Sequence, residues 1–217
     1  MTQKDIKIFI EVYSKPRKKN YSTNKTDVYH IDDIWSLDIL DLKDYGPENN
    51  RKYRYVLVII DNFSNYGFTI PLKNKIASTI KDSFENIIIN SKRKPDLIES
   101  DRGKEFYNNM FQNFLNDDNI KHYSVNISLG TVFAERFNRA IRDLLKRPVF
   151  EKGDANWIDV LPTITKLYIN RIHSSTELTP IQASLKKNEK YIIKNLLDKR
   201  NKRSTKFKKT ILFELEI

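Results

Sequence analysis

Three acids stand where a carboxylate is costly unless it is used. Asp38 lies inside Ile34-Trp35-Ser36-Leu37-Asp38-Ile39-Leu40-Asp41-Leu42, a run apolar enough to read as a strand. An ionised carboxylate in such company must be paired, hydrogen-bonded or bound to a metal. Asp101 follows the strand-like run Asp96-Leu97-Ile98-Glu99-Ser100 and precedes Arg102-Gly103. A tight glycine turn there sets the acid at a strand's exit, facing a cleft. Glu135 opens a helical stretch that runs on through Arg142. Three clustered carboxylates repel one another and keep their charge at neutral pH only around a cation. Oxygen ligands alone favour a hard divalent ion, Mg2+ or Mn2+. Two such ions can bridge a phosphodiester, activate a nucleophile and stabilise the leaving oxygen. Each acid also has a plain explanation: Asp101 as a turn residue, Glu135 as a helix-start acid favoured by the macrodipole, Asp38 as a surface residue of an edge strand. Their order and their elements, taken together, favour the chemistry. Asp41 is odd in spacing from Asp38 and points to the opposite face, and Asp61 reads as the cap of a hairpin turn, so neither is expected in the site.

The charge balance suits an anionic substrate. There are 39 Lys and Arg against 28 Asp and Glu, a net charge of +11, which favours nucleic acid as partner. Glu135, Arg139, Arg142 and Lys146 recur at helical spacing, so one helix face leads from the acids into a basic stripe. Such a stripe would neutralise backbone phosphates beside the scissile one. Residues 186–209 hold eleven Lys and Arg against two acids, a net charge of +9. Lys199, Arg200, Lys202 and Arg203 are expected to hold DNA there without reading its sequence. Leu185, Ile192, Ile193, Leu196 and Leu197 predict a helix at the start of that segment, running into a basic linker. The chain has no Cys, which excludes disulfides and Cys-containing zinc sites. His30, His122 and His173 are not at ligand spacing. No apolar run approaches a membrane span and no secretory h-region opens the chain, so the expectation is an intracellular protein with no membrane partner.

The elements that must position the acids follow from periodicity. Residues 34–42 form the first strand candidate. Tyr53–Ile60 is β-branched, aromatic and continuous, hence a strand buried on both faces. Asp61–Asn65 reads as a turn and Tyr66–Leu72 as a third strand, making an antiparallel hairpin. Ile76, Ile80, Phe84, Ile87 and Ile88 predict a helix over 76–90. A strand over 96–100, a helix built on Phe106, Met110, Phe111, Phe114 and Leu115, and a strand over 120–125 follow. A long helix starts near Val132 and ends around Pro148. A last one carries Trp157, Leu161, Ile164, Leu167, Tyr168 and Ile172, with Pro162 in its first turn or at a kink. Trp35 and Trp157 are expected in the core. Three antiparallel strands and then α/β crossovers describe an α/β fold with a mixed five-stranded sheet flanked by helices. The chain divides into a basic N-terminal arm (1–30), a catalytic core (31–185) and a basic C-terminal extension (186–217).

On these residues the chain resembles the catalytic core of retroviral-type integrases, the DDE superfamily with an RNase H-like fold. Within it the chain is most similar to integrases of Maverick/Polinton transposons. The resemblance is carried by Ile31–Asp38, with Trp35 three residues before Asp38, by Tyr53–Ser64, and by Ser100-Asp101-Arg102-Gly103-Lys104-Glu105-Phe106. Glu135-Arg136-Phe137-Asn138-Arg139 and Tyr168–Thr176 with Thr179-Pro180 continue it. Thirty-three residues separate Asp101 from Glu135, the shorter gap of the Polinton type; retroviral enzymes have two more. The resemblance implies a polynucleotidyl transferase that performs metal-dependent 3′-end processing and strand transfer of element DNA into target DNA. It implies Asp38, Asp101 and Glu135 as catalytic ligands of two Mg2+ or Mn2+ ions, with Asn138 beside the DNA. It further implies a homo-oligomer that works in the nucleus or an element particle without a small-molecule cofactor. A nuclease of the same fold that cuts RNA in hybrids, and a domesticated, non-catalytic DNA-binding protein, are the competing readings.

Overall fold

The computed structural model describes residues 30–43, 50–124, 132–146 and 156–199. The arm before residue 30, Arg200, Lys202, Arg203 and the apolar end at 210–217 lie outside the described residues. Strands β1 (Ile34–Asp41), β2 (Tyr55–Asp61) and β3 (Gly67–Leu72) lead into helix α1 (Ala77–Ser91). Then come β4 (Leu97–Ser100), α2 (Asn109–Asp117), β5 (Lys121–Ser124), α3 (Val132–Lys146), α4 (Trp157–Ile169) and the short α5 (Pro180–Ala183). A 3-10 turn, Lys186–Asn188, precedes a helix over 189–199, here α6. The five strands form one sheet in the order β3-β2-β1-β4-β5. β1 runs antiparallel to β2 and parallel to β4. This is the mixed five-stranded architecture that the periodicities predict. β1 is central, which removes the edge-strand explanation of Asp38. Pro162 lies inside α4, past its first turn, on an exposed position.

Two cores follow from strand alternation, since successive side chains leave opposite faces of a sheet. Trp35 and Leu37 of β1, with Leu57 and Ile59 of β2, pack against Ile80, Phe84 and Ile87 of α1 and Phe111 and Leu115 of α2. Leu40 of β1 and Val56, Val58 and Ile60 of β2 pack on the other face against Phe137, Ile141 and Leu145 of α3 and Trp157 of α4. Both tryptophans are fully buried, as expected. Ser36 and Asp38 share the α3 face with Leu40, and Asp41 takes the other one. α3 approaches the sheet closely because β3 offers no side chain at Gly67, where an added Cβ would stand 2.3 Å from the Phe137 ring. That close contact seats the helix carrying Glu135.

α6 is integral to the fold. Ile192 is buried with Phe63 and Ala183, and Glu189 accepts a hydrogen bond from the Ile31 backbone N–H at 3.1 Å. The change in charge at residue 186 therefore coincides with no break in packing.

A buried ion pair ties the start of β1 to the hairpin. Arg93, after α1, reaches Asp61 at 2.7 Å and Asp32 at 2.5 Å. Trp35 Nε1 donates to Asp32 at 2.9 Å. The guanidinium lies over Tyr66 at 5.1 Å and Trp35 at 5.7 Å. Asp61 does cap its turn, accepting from the Phe63 N–H and the Ser64 hydroxyl, and it is fully buried. Burial pushes the Asp61 carboxyl up, and Arg93 opposes that shift without cancelling it. Removing one partner of a buried pair strands the other's charge. Arg93→Met is expected to cost about 3–5 kcal/mol of stability in urea denaturation. A loss below about 1 kcal/mol, the level of a surface pair, would contradict this role.

Candidate active site

The sheet register sets the site. Ser36 of β1 is level with Glu99 of β4, and two residues further along these parallel strands stand Asp38 and Asp101. Asp38 is half-buried, while Asp101 is exposed just past the end of β4. Glu135 is exposed in the first turn of α3, whose buried stripe of Ala134, Phe137, Ile141 and Leu145 fixes which way the helix faces. Burial raises the Asp38 carboxyl above the ordinary aspartate range; the Ile39 backbone N–H opposes this, while the charges of Asp101 and Glu135 add to the rise. The structure thus brings Asp101 and Glu135 each within electrostatic reach of Asp38. Among the described residues, no group of three His, Cys, Asp or Glu side chains is drawn tightly enough to hold an ion.

Local donors hold two of the carboxylates. Asp38 accepts from its neighbour's N–H at 2.7 Å on Oδ1, and from the Asn138 amide on Oδ2. Asn138, expected at the DNA, is therefore first an orienting partner of Asp38. Its own Oδ1 is buried without a partner among the described residues, an acceptor left beside the acid. Asp101 accepts from the Gly103 N–H at 3.0 Å. The donor set of three carboxylates, two of them exposed, suits a hard divalent ion.

The basic residues divide. Arg139 and Arg142 are exposed along α3, and Lys146, at its end, pairs with Asp143 at 2.8 Å. Lys199 turns inward: it pairs with Glu177 at 2.9 Å and donates to the Ser174 carbonyl at 2.6 Å. Arg200, Lys202 and Arg203 lie outside the described residues.

Sequence reasoning missed the polar groups beneath the acids. Glu99, two residues before Asp101 and on the same face of β4, is 5% exposed. It accepts from Asn62 at 3.2 Å and from the Tyr123 hydroxyl at 3.1 Å, and burial holds its carboxyl above the glutamate range. Its spacing from Asp101 was the available signal. His122 on β5, beside Ser100, is half-buried and held down to about 4 by burial.

Known proteins are similar to this chain in sequence and in fold. Residues 29–125 match the integrase core domain family. A transposon-derived protein of Caenorhabditis elegans is 25% identical over 134 residues, 62% of this chain and 47% of its own length. The Gag-Pol polyprotein of feline leukemia virus is 28% identical over 134 residues, 60% of this chain and 8% of its own length. The chain thus spans about half the length of the first relative and under a tenth of the second. In structure it is similar to the human T-lymphotropic virus type 2 integrase catalytic core domain in complex with magnesium. That match has a TM-score of 0.57 and 22% identity, and it covers 71% of this chain and 97% of that one. A chain of the simian T-cell lymphotropic virus intasome in complex with the PP2A regulatory subunit B56 gamma gives a TM-score of 0.65 at 19% identity, over 78% of this chain and 60% of that one. The fold is the RNase H-like fold of integrase catalytic cores. The match to the integrase core domain family runs over residues 29–125, a little under half of the chain. Asp38 and Asp101 fall inside that match and Glu135 beyond it.

The raised Asp38 has a consequence for stability. A carboxyl whose native pKa exceeds its unfolded value binds its proton more tightly when folded, so it lowers stability as pH rises through that window. Asp38→Asn removes this cost. Its melting temperature is expected to exceed that of the unaltered chain at pH 7, with the gain fading below the aspartate range. An equal gain at pH 3 and pH 7 would contradict the electrostatic cause.

Proposed function

We propose that the chain is a DNA integrase or transposase, a polynucleotidyl transferase that trims the 3′ ends of element DNA and joins them to target DNA. In end processing, water attacks a phosphorus and the P–O3′ bond breaks, freeing a 3′-hydroxyl. In joining, that hydroxyl attacks a target phosphodiester, a new P–O3′ bond forms, and the target strand is left with its own 3′-hydroxyl. No bond to the protein is formed. The observation that carries this reading is the half-buried Asp38 on the central strand, repelled by Asp101 and Glu135. A fold that concentrates negative charge in this way loses stability, and phosphoryl transfer gives that concentration a use.

Asp38, Asp101 and Glu135 would hold Mg2+ or Mn2+, two ions in our reading, and the bound metal supplies Lewis-acid activation of the attacking oxygen and neutralisation of the leaving one. The related core domain in complex with magnesium supports this. Asn138 would orient Asp38, and its unpartnered Oδ1 would accept a hydrogen bond from a hydroxyl group brought beside the acid. Arg139 and Arg142 would steady the phosphates along α3, and the basic segment beyond α6 would add contacts that read no sequence. Assembly as a homo-oligomer on DNA, kinship nearest to Maverick/Polinton integrases on the spacing of Asp101 and Glu135, and action in the nucleus or an element particle belong to the same reading.

Asp38→Asn, Asp101→Asn and Glu135→Gln are each expected to cut Mn2+-dependent plasmid nicking and joining of a labelled duplex to a small residual rate, with the fold intact by circular dichroism. Asp41→Asn should keep both reactions. Near-normal turnover in any of the first three removes that residue from the site.

Truncation after Lys199 keeps Ile192 and Glu189, and so keeps the fold. It should weaken binding to all duplexes alike and reduce the slope of log K against log salt by about 0.9 per lost phosphate contact. An unchanged slope would assign the removed residues to something other than DNA.

A further inference from the structure

We propose that His122 is a positioning residue for Asp101: its two ring nitrogens hold both ends of the 101–106 turn and so fix where the Asp101 carboxylate stands. The inference rests on the functional reading above.

On one side of the ring, Nε2 lies 2.8 Å from Ser100 Oγ, and the Ser100 hydroxyl donates to the Asp101 carbonyl at 2.8 Å. On the other side, Nδ1 lies 2.7 Å from Gln112 Nε2, which also donates to the Phe106 carbonyl at 2.9 Å. The donors allow one assignment. An amide nitrogen only donates, so Nδ1 accepts from Gln112. The single proton of Ser100 goes to the Asp101 carbonyl, so its oxygen accepts from Nε2–H. One neutral tautomer, protonated on Nε2, satisfies all four contacts. The wire begins at the Phe106 carbonyl, where the turn ends, and finishes at the Asp101 carbonyl, where it begins.

The turn leaves the carboxylate little latitude. The Gly103 N–H holds Asp101 Oδ1 at 3.0 Å. A Cβ added at Gly103 would stand 2.9 Å from that oxygen and 2.6 Å from Glu105 Cδ. The position of the carboxylate thus follows the turn, and the turn follows the imidazole. Tyr107 stacks on His122 with centroids 4.4 Å apart, and Phe111 meets it edge-on at 6.3 Å. An apolar side chain of similar bulk would keep that packing and cut the wire.

The test compares the unaltered chain with His122→Leu, with Ser100→Ala, which cuts the wire one link further on, and with His122→Gln, which restores a donor towards Ser100. Mn2+ affinity is read by titration calorimetry without DNA. Plasmid nicking reads turnover, and duplex binding in chelator reads the rest of the surface. His122→Leu and Ser100→Ala are expected to lose about 10–100-fold in Mn2+ affinity and in nicking. Duplex binding should stay unchanged, and His122→Gln should recover part of the loss. Unaltered Mn2+ affinity in both cut variants overturns the proposal. So does a loss of duplex binding in step with metal affinity, which marks a general folding defect. If the unaltered chain binds Mn2+ but neither nicks nor joins DNA, the functional reading fails while the affinity ratio still decides the role of His122. If it binds no Mn2+, both fail.

Discussion

The candidate site depends on the parallel pairing of β1 with β4. An antiparallel neighbour can follow through a short turn, as β3 follows β2. A parallel neighbour needs the chain to cross back over the sheet. α1 provides that crossover, burying Ile80, Phe84 and Ile87 against the Trp35 face. Only with the two strands running the same way does the exit of β4 fall beside the middle of β1, and Asp101 beside Asp38. α3 then completes the site from the opposite face. It is seated by Phe137 over Gly67, so a missing side chain on β3 lets the helix that carries Glu135 lie close against the sheet.

This arrangement costs stability in the middle of β1 and recovers it where the strand begins. Asp38 carries a charge into partial burial next to two like charges. Three to six residues earlier on the chain, Trp35 and Asp32 belong to an assembly in which one guanidinium answers two carboxylates and lies over three aromatic rings. Asp38 is answered only in part, by the Ile39 N–H, the Asn138 amide and the charge of Lys75. Beside it, Asp101 and Glu135 are exposed to solvent.

Much of this was legible in the sequence because apolar periodicity survives burial. The five strands, their order along the chain and the amphipathic α1, α2, α3 and α4 all follow from alternation and helical spacing. The three acids stood out because each broke or bounded an apolar run. Asp61 reads as a turn cap and is one, but its partner is not visible in the sequence: Arg93 lies 32 residues away, and nothing in its neighbourhood marks it as buried. The same holds for His122 and Ser100, 22 residues apart, which meet only because β4 and β5 pair. Lys199 looked like one more cation of a basic segment. Its contacts with Glu177 and Ser174 are tertiary and leave no local trace. Charge composition marked residue 186 as a boundary, whereas one buried isoleucine, Ile192, carries the fold through α6.

The central claim is that Asp38, Asp101 and Glu135 act as one unit on one phosphate. The most direct measurement is Mn2+-dependent plasmid nicking by Asp38→Asn, Glu135→Gln and the double variant, compared as free energies. Residues that act as a unit are not additive, so the double variant is predicted to be no slower than the worse of the two single ones. Losses that multiply, each variant contributing its own factor, would mean that the two carboxylates work independently and would contradict the account.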